Sequence, residues 1–241
     1  MTPEALRAVR EETWPPAGKI GFGPVMIRDG RGGGKRVSAA SIRGDWTKCD
    51  LDRAETVMRD RGQAPLFQLL PDQQALDGEF AARGYALVDP VLGYAAQVAS
   101  LVASLVAPMP PLLTFPHWPP LEIARQIWAE AGIGPARVAV MERAAGAKAV
   151  ILARQGDRPS GAVFVALSGA VAMIHALEVR PDARRKGVAG HLLLSAAGWA
   201  QAAGAAELGL VVTVANAPAR ALYAKLGMAE VSGYHYRELK V

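Results

Sequence analysis

Beyond residue 120 the apolar positions follow two rhythms. Stretches 147–154, 161–167, 171–179 and 208–214 are apolar almost throughout and rich in Val, Ile and Ala, the pattern of strands covered on both faces. Stretches 121–131, 136–145, 186–203 and 218–226 instead repeat their apolar residues at helical spacing. Val188, Leu192, Ser195 and Trp199 mark one face of the longest, and Gly204 stops it. Turns are predicted at Gly156-Asp157-Arg158-Pro159 and at Ser168-Gly169, and stretch 228–239 reads as two short strands or a bent ribbon. Helices therefore alternate with strands around one sheet, which places the fold in the α/β (α+β) class with a mixed central sheet flanked by helices.

The proline-rich stretch from Pro108 to Pro120, with Phe115, His117 and Trp118 inside it, interrupts this order. Proline removes a backbone donor and resists regular structure, so the stretch predicts a packed linker at 108–120 between an N-terminal domain, 1–107, and a C-terminal domain, 121–241. Two apolar stretches imitate membrane spans. Residues 161–177 carry no Asp, Glu, Lys or Arg, but Ser168-Gly169 divides them into a buried hairpin. Residues 91–107 fall short of the roughly 20 residues a span needs and read as a strand leading into the linker.

Composition narrows the function only a little. A hydrophobic fraction of 51% is ample for a core, although much of it is Ala. The formal charge of +5 suits an anionic ligand or nonspecific nucleic-acid contact, but aromatics at 6% do not cluster among the basic residues as a single-strand binder requires. One cysteine, Cys49, excludes an intramolecular disulfide and points to a reducing compartment. No His lies near it in sequence, so it reads as a free thiol and not a nucleophile. The first 18 residues contain acids and prolines and no apolar run, so no signal peptide is visible and a cytoplasmic location is expected.

The chemistry concentrates at Leu177-Glu178-Val179-Arg180-Pro181-Asp182-Ala183-Arg184-Arg185-Lys186-Gly187-Val188-Ala189-Gly190. A buried strand here gives way to a basic glycine-bearing turn and then a helix start. Helix N-termini present unpaired N–H groups and the positive end of the macrodipole. Gly187, Ala189 and Gly190 let a bulky phosphate approach, and Arg184, Arg185 and Lys186 add charge. Downstream runs Asn216-Ala217-Pro218-Ala219-Arg220-Ala221-Leu222-Tyr223-Ala224-Lys225-Leu226-Gly227-Met228. Asn216 can cap this helix and Gly227 end it, and Asn216 and Tyr223 stand about two turns apart on one face.

With these residues the chain resembles the GNAT superfamily of N-acyltransferases, over roughly 121–238. Arg184, Gly187 and Ala189 fit the family's diphosphate signature. Asn216, Ala219, Tyr223 and Leu226-Gly227-Met228 fit its later pattern, in which only Met228 departs from the usual Phe. The resemblance implies acetyl-CoA as co-substrate, no metal, and a small-molecule or peptide amine as acceptor. It implies that Arg184, Arg185, Lys186, Gly187, Val188, Ala189, Gly190 and Asn216 hold the cofactor, with backbone groups near Leu177 and Val179 pairing with the pantetheine amides. Tyr223 would be the general acid that protonates the leaving thiolate. No membrane and no specific nucleic acid would be a partner, and the protein would be a monomer or homodimer. A module with this fold that binds coenzyme A or a protein partner without turnover is the competing reading, and a basic nucleic-acid adaptor is a third.

Three further readings complete the picture. Laying Gly84 on Gly227, an offset of 143, matches Phe80-Ala81-Ala82-Arg83-Gly84-Tyr85 to Tyr223-Ala224-Lys225-Leu226-Gly227-Met228. Gln73 then stands for Asn216, Phe80 for Tyr223, and Ser41 to Trp46 for the diphosphate turn, so the N-terminal half reads as a degenerate GNAT-like repeat kept for packing or substrate contact. The run Gly30-Arg31-Gly32-Gly33-Gly34-Lys35-Arg36 fails as a nucleotide P-loop, because Asp29 and Arg36 occupy the places of the required Gly and Ser or Thr. It reads as a flexible basic turn, with attraction of an acidic substrate or phosphate as the alternative. Strand alternation places His175 and Glu178 on opposite faces, so at most one faces the acceptor, and each is expected to be structural. Tyr234 and His235 are expected on a polar edge, with the acceptor pocket as the alternative.

Overall fold

The computed structural model describes residues 1–104 and 112–240. In chain order the elements are α1 (Pro3–Thr13), β1 (Gly18–Phe22), β2 (Val25–Asp29), α2 (Lys35–Ser38), β3 (Ser41–Ile42), α3 (Leu51–Arg59), β4 (Leu66–Leu69), α4 (Gln74–Ala82), β5 (Ala86–Gln97) and α5 (Val98–Ala103). There follow β6 (Leu112–His117), α6 (Glu122–Glu130), α7 (Pro135–Arg143), β7 (Lys148–Gln155), β8 (Arg158–Ser168), β9 (Val171–Val179), α8 (Val188–Ala202), β10 (Glu207–Thr213), α9 (Ala217–Lys225) and β11 (Ala229–Glu238).

The chain forms two compact units. The first comprises Met1–Pro15, Gly93–Val212 and Ala217–Val231; the second comprises Pro16–Leu92, Thr213–Asn216 and the stretch from Ser232. This division differs from the one expected at a 108–120 linker. Leu112–His117 is no linker: it pairs antiparallel with β7 along its length, from Leu112 opposite Gln155 to His117 opposite Val150. Pro116 is tolerated because β6 is the last strand in the order, where a missing N–H breaks no ladder. The expectation for 108–111 lies outside the described residues. The apolar stretch after residue 90 likewise ends as helix α5, and Gly93 onward belongs to the first unit.

In the first unit the strands run β10-β9-β8-β7-β6. The β9–β10 pair is parallel and the others antiparallel, so the sheet is mixed. β8 is covered on both faces, which explains its unbroken apolar run. On one face a Cβ at Gly161 would lie 2.7 Å from Glu178 O and 2.9 Å from Leu192 Cδ1, so only glycine lets α8 approach this closely. On the other, Phe164 meets Trp14 (ring centroids 6.2 Å apart) and Trp118 (5.8 Å). Helix α1 joins the same unit: Thr2 caps it by accepting from Ala5 N–H, Pro3 opens it, and Leu6 and Val9 pack on Met173.

In the second unit β1, β2 and β3 form an antiparallel sheet, and β4 pairs antiparallel with β11 from Leu66 opposite Glu238 to Leu69 opposite His235. Its core centres on Phe67, Phe80 and Tyr85, with the Phe67–Phe80 centroids 4.5 Å apart and the Phe80–Tyr85 centroids 4.9 Å apart. The repeat expected at an offset of 143 is reproduced by the helix ends. Gly84 (φ 83°) and Gly227 (φ 75°) both close a helix in the left-handed region. Tyr85 N–H donates to Phe80 O and Met228 N–H to Tyr223 O, each at 3.0 Å.

Candidate active site

The site begins with an irregularity in β9. Ala162 pairs with Glu178 and Phe164 with His175, so Ala176 and Leu177 together oppose the single residue Val163. This is a β-bulge, and Ala176 adopts the left-handed region (φ 50°) to make it. Trp128 on α6 pins the bulge by donating from Nε1 to Ala176 O at 2.8 Å. The parallel pairing with β10 runs from Val171 to Ile174 and goes no further. From His175 on, β9 pairs with β8 and, among the described residues, no longer with β10. Arg180 N–H donates to Ser160 O at 3.0 Å, towards β8, so strand alternation turns the backbone groups of Leu177 and Val179 the other way, to the side from which β10 has departed.

After Val179 the chain makes one 3-10 turn, Pro181–Ala183, and then exposes Arg184, Arg185 and Lys186 in succession. Arg185 (φ 61°) and Gly187 (φ 81°) both take left-handed backbone. Glycine does so freely, whereas at Arg185 the conformation costs on the order of 1 kcal/mol. Helix α8 starts at Val188, two residues later than its apolar periodicity predicts, with Gly187 as its N-cap. Its first i→i−4 bond runs from His191 N–H to Gly187 O at 3.0 Å. The amides of Val188, Ala189 and Gly190 before it have no helical acceptor and sit at the positive end of the dipole. Val188 buries its side chain in the core, so only its amide faces outward chemistry. Arg184 Nε donates to Val179 O at 3.2 Å and ties the turn back to the strand.

Gly190 lies against α9: a Cβ there would sit 3.5 Å from Leu222 Cδ1, an ordinary contact. The next residue, Tyr223, is buried, and its ring lies 5.7 Å from that of Tyr94 on β5 at 53°. Burial, then the charge of Glu178, then Tyr94 push its phenol up to about 12. Burial also raises the Glu178 carboxyl, against the opposing pull of Arg184 and Arg137. The first unit thus brings together Leu177, Val179, the 184–190 turn and Tyr223. Asn216 is not grouped with them: it is exposed immediately before α9 and falls in the second unit.

The bulge corrects the expected geometry of the two candidate bases. Because His175 and Glu178 face residues two apart on β8, they share one face of the sheet. His175 is committed to the core, stacked on Trp14 (centroids 4.8 Å apart) and bonded through Nε2 to Thr13 Oγ1 at 2.9 Å. The Thr13 hydroxyl donates to Val9 O at 2.7 Å, so it accepts from His175, which fixes the proton on Nε2. Glu178 instead lies near enough to Tyr223 for its charge to act on the phenol. Tyr94 had no signal in the sequence, being one phenol in an apolar strand.

Elsewhere the other candidates find structural partners. Arg31 pairs with Asp29 at 3.3 Å, and Lys35 with Asp89 at 2.9 Å and Glu238 at 3.5 Å, so the glycine-rich turn is answered by carboxylates of its own unit. Cys49 is half-buried, with its thiol raised by burial, as suits an inert side chain. His235 is not on a free polar edge: its Nε2 lies 2.7 Å from Asp77 Oδ1, and Tyr234 is buried. Among the described residues no group of His, Cys, Asp and Glu is placed to hold a metal, and no helix is long and apolar enough to cross a membrane.

Residues 114–228 match the Acetyltransferase (GNAT) family. Among solved structures, a GCN5-related N-acetyltransferase from Kribbella flavida is similar over 100% of this chain and 97% of its own, with 16% identity and a TM-score of 0.70. A tandem GNAT protein from the clavulanic acid biosynthesis pathway is similar over 97% of this chain and 87% of its own, with 12% identity and a TM-score of 0.66. A functionally unknown conserved protein from Staphylococcus epidermidis is similar over 96% and 98%, with 12% identity and a TM-score of 0.72. A search of curated proteins finds no match. The fold is thus the GNAT fold, with the two-half architecture that the internal repeat anticipates.

Proposed function

We propose that the chain is an N-acetyltransferase that moves the acetyl group of acetyl-CoA to a primary amine of a small molecule or peptide. The observation that carries this reading is the parting of β9 from β10 at the bulge, directly before the helix start at Val188. The backbone groups of Leu177 and the N–H of Val179, on the side that β10 has left, would pair with the pantetheine arm, and one of the two N–H groups would receive the developing oxyanion. The amides of Val188, Ala189 and Gly190, with Arg184, Arg185 and Lys186, would take the diphosphate.

The amine nitrogen then attacks the thioester carbonyl, a C–N bond forms, and the C–S bond breaks. Tyr223 gives its phenolic proton to the departing sulfur, and Glu178 takes the proton released by the amine, directly or through water. With its phenol raised to about 12, Tyr223 keeps its proton at neutral pH until charge builds on sulfur. Thiol release on mixing the protein with acetyl-CoA and a panel of amines tests the activity. Tyr223→Phe is expected to lower kcat by about 10²- to 10⁴-fold while leaving acetyl-CoA binding in place. Binding of coenzyme A without thiol release from any amine would favour the non-catalytic module, and equal turnover by Tyr223→Phe would remove the acid role.

A further inference from the structure

We infer that Tyr94 is a positioning residue for Tyr223, supplied to the acetyl-transfer site by the strand that closes the degenerate N-terminal repeat. The proposal rests on the acid role of Tyr223 given above.

Under the offset of 143, β5 follows Gly84 as β11 follows Gly227, so by sequence Tyr94 belongs to the repeat that lacks a diphosphate turn and a phenol. By packing it belongs elsewhere. Residues from Gly93 onward are part of the first unit, and the end of β5 is fixed there at two points. Val98 N–H donates to Ala206 O at 2.9 Å, and Gln97 Nε2 donates to Glu207 Oε1 at 3.1 Å. Glu207 also takes the N-terminal ammonium of Met1 at 2.6 Å. Tyr94 and Ala95 are buried beside this anchor.

A ring centroid separation of 5.7 Å at 53° is a tilted aromatic contact between Tyr94 and Tyr223. Among the described residues the Tyr223 hydroxyl has no hydrogen-bond partner that would orient its ring. On α9 its χ1 choices are narrowed by the helix itself, and the Tyr94 ring closes off the remaining freedom and keeps water from that side. The other ionisable group interacting with the phenol is Glu178 on β9, so Tyr94 and Glu178 are the two charges or potential charges that act on its ionisation. A ring that holds the acid and excludes water should be replaceable by another ring but not by a small side chain.

The test compares Tyr94→Phe, Tyr94→Ala and Tyr223→Phe with the wild type, each confirmed as folded by its thermal transition. Tyr94→Ala is expected to lower kcat about 10- to 100-fold, the scale of a misplaced catalytic group, with KM for acetyl-CoA little changed. It should also bring a falling alkaline limb into the kcat profile, because the phenol, reached by water, moves down towards its ordinary value near 10. Tyr94→Phe is expected to restore kcat and to keep the limb out of range. The ring contact is read independently of activity from ¹³C-labelled tyrosine spectra, with the Tyr223 signal assigned by its loss in Tyr223→Phe. That signal should shift in Tyr94→Ala. Wild-type kcat and an unmoved Tyr223 signal in Tyr94→Ala would overturn the inference, as would Tyr94→Phe proving as slow as Tyr94→Ala. Full activity of Tyr223→Phe would instead sink the acid assignment itself, which the labelled spectra tell apart.

Discussion

Burial drives Glu178 and Tyr223 the same way, towards their neutral forms, and this has opposite consequences for the two. Tyr223 is useful as an acid while neutral, so burial keeps it competent across the working range. Glu178 is useful as a base only when ionised, so the rate should rise as pH passes upward through its raised pKa, above the ordinary carboxylate value of 4.5. Glu178→Gln is expected to lower kcat by about 10²-fold and to remove this acidic limb. The linkage sign gives a second readout. A carboxyl with a raised folded-state pKa favours folding only while protonated, so at neutral pH Glu178 opposes folding, and the Gln variant should melt at a higher temperature than wild type. A Gln variant that melted lower and kept the acidic limb would mark Glu178 as structural. At this scale the sequence was legible where spacing fixes the place of a residue, as for Tyr223 on α9 before the glycine turn at Gly227. It was not legible at Ala176, because a left-handed residue that is not glycine leaves no mark, and the bulge it makes reverses the face on which simple alternation places Glu178.

Among the elements, the link from β9 to α8 was the most legible, since a charged turn with Gly187 after a buried strand has few structural alternatives. Its start was displaced by two residues because Gly187 caps the helix in the left-handed region, which periodicity does not register. The corresponding place in the N-terminal repeat shows what degeneration means physically. Asp50 caps α3 by accepting from Arg53 N–H at 2.9 Å, and Asp45 accepts from Thr47 N–H at 3.1 Å just before it. Carboxylates already occupy the amides that a phosphate would need. In the 184–186 turn no carboxylate does so. Replacing Arg184, Arg185 and Lys186 together by Gln should therefore weaken coenzyme A binding. The three side chains are exposed, so each contact is screened to about 0.5–1 kcal/mol, and the sum corresponds to about 10- to 100-fold in Kd. Calorimetry at two salt concentrations checks it: the wild type should lose affinity with salt more steeply than the variant. Equal affinities would place the diphosphate elsewhere.

For the whole molecule, the sequence conveyed two related halves but misplaced their borders, because compactness follows packing and not chain order. Proline at 116 looked like a break, yet at a sheet edge it costs no hydrogen bond. Gly93 onward looked like a run-out from the first half, yet its buried side chains lie in the other unit. The ion cluster of the second unit shows how segments far apart in the chain are held together within one unit. Asp77 on α4 accepts from Arg237 Nε and Nη2, each at 2.7 Å, and lies 2.7 Å from His235 Nε2, while Arg237 Nη1 reaches Tyr85 O at 3.1 Å. One carboxylate thereby fixes the far end of β11 to the helix and glycine turn of the repeat. The guanidinium is the main cause that holds the Asp77 carboxyl down at about 2, below its ordinary 3.8. A depressed carboxyl contributes stability above its unfolded pKa and loses it as pH falls through the folded one, so this contribution should vanish between about pH 4 and pH 2. Urea unfolding of wild type and Asp77→Asn across that window isolates it, since other carboxylates titrate alike in both. The two stabilities should differ at neutral pH and converge towards pH 2. Curves that stay parallel throughout would mean that the cluster holds nothing that water does not.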